Sequence, residues 1–349
     1  MRVMVAMSGG VDSSVAAALM RQEGHEVVGV TLKLWSGPNG EAPTAGCCTV
    51  SDAEDARRVA AQLDIPYYVL DYTEEFRDGV VDRFVADYAS GRTPNPCIEC
   101  NRTVKFDRLL RRLAEFDAEA LVTGHHARSR FQDGSWQLHR GADQGKDQSY
   151  VLSMLTQFEL SRTRFPVGEL TKTEVRRLAA DAGLRTAAKP ESMDICFVGQ
   201  RDYRGFLRDT APAAFEPGEV VGSDGAELGR HDGVIGFTIG QRRGLGVAVG
   251  EPRFVIRIDP GTSTVVIGSR DELAVAGAKL RQLTWTTGEA VEGRVMAQFR
   301  AHGEPVSAAL HDGRLLFSTP QSAVAPGQTV AFYDGDRVLG GGLIADTYS

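Results

Sequence analysis

The chain has no apolar run of the ~20 residues that a helix needs to cross a bilayer. Its N-terminus lacks the basic start and apolar core of a secretory signal, and the first loop with a ligand-binding pattern, at Ser8, begins too early for a cleaved presequence. These features set the expectation of a cytosolic protein with no membrane partner. Excess positive charge is missing as well. The 39 Lys and Arg face 46 Asp and Glu, for a formal net charge of −7. That argues against a protein that coats nucleic acid indiscriminately, although a local basic face suffices for phosphates. No internal repeat and no low-complexity segment is present. Cysteine is scarce, at five residues (47, 48, 97, 100 and 196), and in a cytosolic chain these read as reactive or metal-binding thiols rather than a disulfide framework. Two common phosphate signatures are absent. The nearest string to G-x-x-x-x-G-K-[ST] is Gly141 to Asp147, one residue short and ending in Asp, and there is no G-x-G-x-x-G fingerprint.

What is there begins at Ser8-Gly9-Gly10-Val11-Asp12-Ser13-Ser14. The apolar run Val3 to Ala6 leads in and the helical run Val15 to Met20 leads out, so this is a turn between a buried strand and a helix N-terminus. Two glycines let the backbone bend tightly and let a ligand approach. The first helical N–H groups have no internal partner, and the helix dipole adds partial positive charge. The three serines add donors, so the turn suits a polyphosphate better than an ordinary Ser/Asp-capped turn would. The S-G-G-x-D-S string resembles the PP-loop of ATP pyrophosphatases, which implies adenylation of a substrate oxygen rather than phosphoryl transfer.

The length of 349 residues predicts two or three domains. The first alternates strand and helix, with strands at Val3 to Ala6, Val27 to Leu32, Tyr67 to Leu70 and Ala120 to Thr123. Ser51-x-x-Glu54 and Thr171-x-x-Glu174 have capping-box spacing, and Gly183 is a helix stop. Glu74 to Ser90 carries Phe76, Val80, Val81, Phe84, Val85 and Tyr88 at helical spacing, a core face rather than a cofactor box. The pattern implies a parallel sheet covered on both sides, with ligands beyond the carboxyl ends of its strands. Gly124-His125-His126 follows such an end and is expected near Ser8. After about residue 210 the texture becomes all-β, with short runs at Val234 to Ile239, Phe254 to Ile258, Thr264 to Ile267, Arg294 to Phe299 and Val330 to Tyr333, and a hairpin turn at Asp334 to Asp336. The expected domains are 1–204, an α/β PP-loop domain; 205–274, small and β-rich; and 275–349, a β-barrel.

Thr93 to Asn101 reads as a proline-stiffened loop ending in C-x-x-C, Cys97 and Cys100, ahead of a helix from Arg102. Near a helix N-terminus, with Arg102 and Lys105 nearby, such a thiol has a lowered pKa. The motif alone is unspecific: a thioredoxin-like role stays open, and structural zinc normally takes four ligands. Cys47 and Cys48 are given no role. Cys196, among Ile195, Phe197 and Val198, reads as core packing. The arginines around 105–112 and 201–208 read as solvated faces, whereas Gly240-Gln241-Arg242-Arg243-Gly244-Leu245-Gly246 is a glycine-bounded basic turn suited to a phosphate.

Taken in order, these strings resemble the tRNA-specific 2-thiouridylase family. They are the PP-loop, Gly46 to Cys48, Gly91 to Pro96, Cys100-Asn101, Thr123 to His125, Lys146 to Tyr150, Phe165 to Leu170, Ile195 to Gly199, His231 to Gly233, Gly240 to Gly246 and Pro326 to Gln328. Other PP-loop enzymes such as GMP or NAD synthetases lack the two cysteine segments and the β tail. The resemblance implies ATP with Mg²⁺, adenylation of the C2 oxygen of the wobble uridine (position 34) in the anticodon arm of tRNA(Lys), tRNA(Glu) and tRNA(Gln), and sulfur from a cysteine desulfurase or relay protein carried as a persulfide on Cys196. Cys100 is then the nucleophile, and a Cys100–Cys196 disulfide results. Ala6, Met7, Ser8, Gly9, Gly10, Val11, Asp12, Ser13, Leu32 and Gly124 would contact ATP. Cys97, Ile98, Glu99, His125, Lys146, Asp147, Gln148, Gln298, Phe299, Arg300 and Gln328 would contact tRNA.

Two positions depart from the family pattern. Cys97 stands where many members carry an Asp placed as acid/base beside the uracil. The third thiol raises a variant in which Cys97, Cys100 and Cys196 hold a [4Fe–4S] cluster that carries the sulfide. Gln298-Phe299-Arg300 stands where the family tends to have Arg-Tyr-Arg, so that tRNA contact is expected to be weaker or shifted. Two other classes remain open: a PP-loop ligase or amidotransferase acting on a small molecule, and a redox or iron–sulfur sensor that binds RNA without modifying it.

Overall fold

The computed structural model describes residues 1–36, 49–191, 195–198, 202–247 and 250–349. The loop expected over 37–44, the Cys47–Cys48 pair and Arg201 lie outside them. Among the described residues no helix is long and apolar enough to cross a membrane.

The N-terminal unit is built on five parallel strands in the order β3–β2–β1–β4–β7. They are β1 Arg2–Ala6, β2 Glu26–Lys33, β3 Tyr67–Asp71, β4 Ala120–Thr123 and the two-residue β7 Thr163–Arg164. Val3, Met4, Val5, Leu121 and Val122 are completely buried, as a sheet covered on both faces requires. Each such side chain contributes roughly 1.5–3 kcal/mol by leaving water. Around the sheet lie α1 Val11–Gln22, α2 Val50–Gln62, α3 over 73–89 and α4 over 96–111, then α5 Lys172–Asp181. On α3, Phe76, Val80, Val81, Phe84 and Tyr88 are buried in one cluster and Val85 packs against it.

Several local expectations shift. The capping box of α2 is formed by Thr49 and Asp52, not Ser51 and Glu54; Glu54 instead pairs with Arg57 and Arg58 on the exposed face. At α5 the Thr171–Glu174 box forms, and Gly183 follows the helix at φ +64°. The C-x-x-C string is not a loop. Asn95 caps the helix through Ile98 N–H and Pro96 sits in its first turn, so α4 starts at Pro96, four residues before Cys100. Both α3 and α4 contain π turns, Arg77–Val81 and Asn101–Arg108.

A helix, α6 Tyr203–Thr210, opens the central unit, whose sheet runs β10–β11–β8–β9. Its strands are β8 Gly218–Gly222, β9 Glu227–His231, β10 Phe254–Asp259 and β11 Thr264–Gly268. Val234 to Ile239 is not a strand but begins as a 3₁₀ turn. Ile235 feeds the N-terminal core while Val234 and Phe237 feed the central one, a division that a flat strand of period two cannot make.

The last six strands close a barrel: β12 Ala274–Trp285, β13 Gly293–Gln298, β14 Val306–His311, β15 Arg314–Ser322, β16 Thr329–Asp334 and β17 Arg337–Tyr348. The order β12–β15–β14–β13–β16–β17 is completed by β17 pairing back on β12. The expected turn between β16 and β17 is present, with Gly335 at φ +58°. The barrel sheet also continues into the N-terminal unit. The hairpin of β5 Ala127–Gln132 and β6 Ser135–Arg140 attaches through Arg337↔His139 and Val338↔Leu138.

Candidate active site

The sheet order reverses direction between β1 and β4, where an open α/β sheet forms its ligand crevice. The Ser8–Ser14 loop leaves the end of β1 and Gly124-His125-His126 leaves the end of β4. Gly9 adopts φ +72°, and a Cβ there would lie 2.2 Å from the Asp52 carbonyl oxygen. A Cβ at Gly124 would lie 2.5 Å from Ser13 N. Only glycine allows these approaches. At the start of α1, Gly10 is the N-cap, and no described side chain caps the helix. Ser13 Oγ accepts from Ser8 N at 3.2 Å, and Ser14 Oγ donates to Gly10 O at 2.8 Å, so the serines shape the loop. The amides of the first turn remain as donors for an anion. Behind them Thr31 Oγ1 donates to Met7 O at 2.6 Å and Tyr67 OH donates to Thr31. Ala6 pairs with Val30 in register, and Leu32 lies two residues further along β2.

Asp12 points from the first turn of α1 into a charge cluster. Lys172 Nζ is 2.7 Å from both its oxygens, and His126 Nε2 is 3.1 Å from one. Burial pushes the Asp12 pKa up, but hydrogen bonds from His126 and Lys172 outweigh it and the net shift is downward. Lys172 also lies 3.2 Å from Glu191, which in turn binds Lys146 at 2.7 Å. His125 points elsewhere, with Nδ1 2.8 Å from Thr123 Oγ1. Burial, then Lys105, drops its pKa to about 3, so the imidazole is neutral.

Among the described residues Cys97, Cys100 and Cys196 are not joined in a disulfide. Cys97 is exposed. Cys100 is buried in the N-terminal core, and Cys196 packs against that same core. Phe197, beside Cys196, meets Trp35, Phe76, Phe84 and Phe206 in an aromatic cluster. Among the described residues no group of three or more Cys, His, Asp or Glu side chains is arranged to hold a metal. As placed, the three thiols are not gathered as a ligand set, so the [4Fe–4S] variant finds no support among the described residues.

The residues expected at tRNA divide in two. Ile98 is buried, and Glu99 turns inward to Arg102 at 2.6 Å and Arg83 at 3.0 Å. Asp147 is spent on Arg140, Gly141 N and Ser149. Gln298 is buried and accepts from Arg140, and Phe299 is buried. Gln148 takes the His126 N–H, and Gln328 is half-buried at the barrel rim. Cys97 and Arg300 are exposed, and Lys146 is half-buried on Glu191.

The tRNA methyl transferase HUP domain family matches residues 1–200, its PRC-barrel domain 204–269, and the aminomethyltransferase beta-barrel domain 275–344. A tRNA-specific 2-thiouridylase of Roseiflexus sp. (strain RS-1) is 46% identical over 369 residues, covering 99% of both chains. The chain belongs to the tRNA-specific 2-thiouridylase family. A 2-thiouridylase of Geobacter metallireducens is 47% identical, over 98% of this chain and 96% of its own length, and one of Chloroflexus aurantiacus is 48% identical over 98% of each. Among solved structures, a 4-thiouridine synthetase in complex with RNA and ATP overlaps 61% of this chain and 51% of its own at 17% identity and a TM-score of 0.37.

Within this 2-thiouridylase chain, sequence reading missed Lys172, Glu191 and the His126 contact. The string Thr171-Lys172-Thr173-Glu174 signals a helix start and nothing about the loop 160 residues earlier. The Asn95–Pro96 pair, a cap followed by a first-turn proline, was a local sign that Cys97 and Cys100 lie on a helix.

Proposed function

We propose that this chain converts the wobble uridine of tRNA(Lys), tRNA(Glu) and tRNA(Gln) to 2-thiouridine, using ATP accompanied by Mg²⁺. The observation that carries the reading is the serine-lined N-terminus of α1 at the β1/β4 crevice, which no described side chain caps, in a chain matching 2-thiouridylases over 98–99% of its length. The triphosphate would rest on the amides of Gly9 to Ser13. Asp12 is the carboxylate at that loop, and Mg²⁺ commonly binds one or two carboxylates together with substrate phosphates.

The uridine O2 attacks the α-phosphorus and pyrophosphate leaves. The adenylated carbonyl is now a competent electrophile, because AMP is a far better leaving group than oxide. The terminal sulfur of a Cys196 persulfide attacks C2 and AMP departs with the old oxygen. Cys100 thiolate then attacks the Cys196 sulfur. The C2–sulfur bond is kept, the sulfur–sulfur bond to the base breaks, and a Cys100–Cys196 disulfide remains for an external thiol to reduce. The persulfide comes from a cysteine desulfurase or a relay protein. That both cysteines pack on one core supports this order of events. The target base must leave its stack to reach such a site.

The test is incubation with tRNA, ATP and a persulfide donor, followed by nucleoside mass spectrometry. The reading expects 2-thiouridine at position 34 and one AMP per sulfur. AMP formation from a small molecule without tRNA would instead support a ligase. Cys100→Ser should trap a covalent protein–tRNA adduct, visible on a denaturing gel and released by thiol.

A further inference from the structure

We infer that Lys172 is a catalytic residue of the adenylation step, a lysine parked on Asp12 that transfers to the triphosphate of ATP and neutralises the charge gathering on the departing pyrophosphate. The inference rests on the reaction proposed above and adds a residue to it.

The phosphate loop has no cation of its own. Between Arg2 and Arg21 the sequence contains no Lys or Arg, whereas a Walker loop places a lysine directly on its phosphates. The fold supplies one from elsewhere. Lys172 opens α5, with its N–H fixed on Asp143 Oδ2 at 2.9 Å and the preceding Thr171 forming the helix cap. Helices α1 and α5 share one core through Val11, Val15, Val175 and Ala179. Their N-termini meet at the loop, and Lys172 reaches Asp12 in the first turn of α1. Its side chain is 12% exposed, so the ammonium is largely shielded from bulk water.

The pattern of partners shows that this lysine can leave. Asp12 and Glu191 both bind it, and each has a second cationic or donor partner: His126 for Asp12 and Lys146 for Glu191. When Lys172 swings away, neither carboxylate is left alone, so the usual cost of stranding a buried charge is avoided. The four-carbon stem gives an ammonium the reach to move by rotamer change. A triphosphate on the α1 amides offers more negative charge than one carboxylate and draws the ammonium over. As the bond between base O2 and the α-phosphorus forms, the electron pair of the broken P–O bond passes to pyrophosphate, where a cation counts most.

The test compares Lys172→Met and Lys172→Arg with the wild-type protein. Pyrophosphate release is followed in a single turnover with tRNA and saturating ATP but without sulfur donor, alongside calorimetric binding of inorganic pyrophosphate. Lys172→Met should slow release by about 10²–10³-fold, the effect of one lost charge-stabilising donor, and weaken pyrophosphate binding at least tenfold. Its tRNA affinity and melting temperature should stay near wild type, and Lys172→Arg should recover part of the rate. Release within threefold of wild type, or a loss that tracks tRNA affinity or melting temperature, overturns the inference. So does recovery in Lys172→Met/Glu191→Gln, which would mean that the lysine only masks Glu191. A structure of the wild-type protein with pyrophosphate decides without any variant: Nζ should be on a phosphate oxygen, and Nζ still on Asp12 refutes the transfer. Wild-type protein that binds pyrophosphate through Lys172 yet never thiolates tRNA would sink the proposed function and leave the site standing.

Discussion

The guanidinium of Arg140 lies 3.9 Å from the centre of the Tyr333 ring. The first belongs to the hairpin that follows the β4 crevice, the second to the barrel. The same guanidinium donates to Asp147 at 2.7 Å and to Gln298 at 2.9 Å, so one side chain fastens a loop expected at tRNA to a strand of the barrel. Arg140→Ala leaves Asp147 buried without its cation and should cost about 3 kcal/mol, the usual scale for a broken buried pair. Urea unfolding measures this. Arg140→Met combined with Asp147→Asn should lose less than the sum of the single changes.

Gly9→Ala should abolish ATP binding while leaving the barrel intact. The new methyl group meets the Asp52 carbonyl at 2.2 Å in a backbone conformation of φ +72°, so the loop or α2 must move. Calorimetric titration with ATP, with circular dichroism as control, checks it. Binding within threefold of wild type would show that the loop tolerates the shift.

His125 sets an acid limb on stability. Its pKa is lowered from 6.5 to about 3 by burial first and Lys105 second, so the unfolded chain binds a proton that the folded chain refuses. Its contribution is complete above the unfolded pKa and falls as pH drops from 6.5 towards 3. The slope is at most about 1.4 kcal/mol per pH unit. Denaturant unfolding between pH 7 and pH 4.5 should show this slope, and His125→Gln should flatten it.

Cys97→Ser should keep tRNA thiolation within a fewfold of wild type, and iron chelators should leave the rate unchanged. Cys97 is exposed while Cys100 is buried, and among the described residues no ligand set gathers around them. Loss of activity restored by iron and sulfide would overturn this.

The parts of the fold legible beforehand were those in which one segment carries its own signal. Strands β1 to β4 are short β-branched or apolar runs between turn residues, and α3 shows its buried face as a period. The β5–β6 hairpin, Ala127–Gln132 and Ser135–Arg140, was missed because it alternates weakly and carries Arg128, Arg130, His139 and Arg140. Thr49 and Ser51 offer the same three-residue cap spacing, and only the end of the helix selects the first. The phosphate loop was legible because seven consecutive residues build it. Lys172 was not, because its partner lies 160 positions away and nothing local marks the meeting. Glu99 and Asp147, expected at the RNA, each have arginine partners that no local pattern announces, Arg83 with Arg102 for the first and Arg140 for the second.

The segment just before the cysteine helix is anchored from outside its own unit. Thr93 N–H donates to Pro326 O at 2.8 Å, and a Cβ on Gly327 would lie 2.9 Å from Thr93 N. The barrel thus works as a bracket for the thiol-bearing helix. A fragment cut after residue 204 would keep the nucleotide cradle and lose that bracket. It should bind nucleotide with the cysteine helix loosened, so that under the proposed function the C-terminal strands would serve the reaction from a distance, by holding that helix.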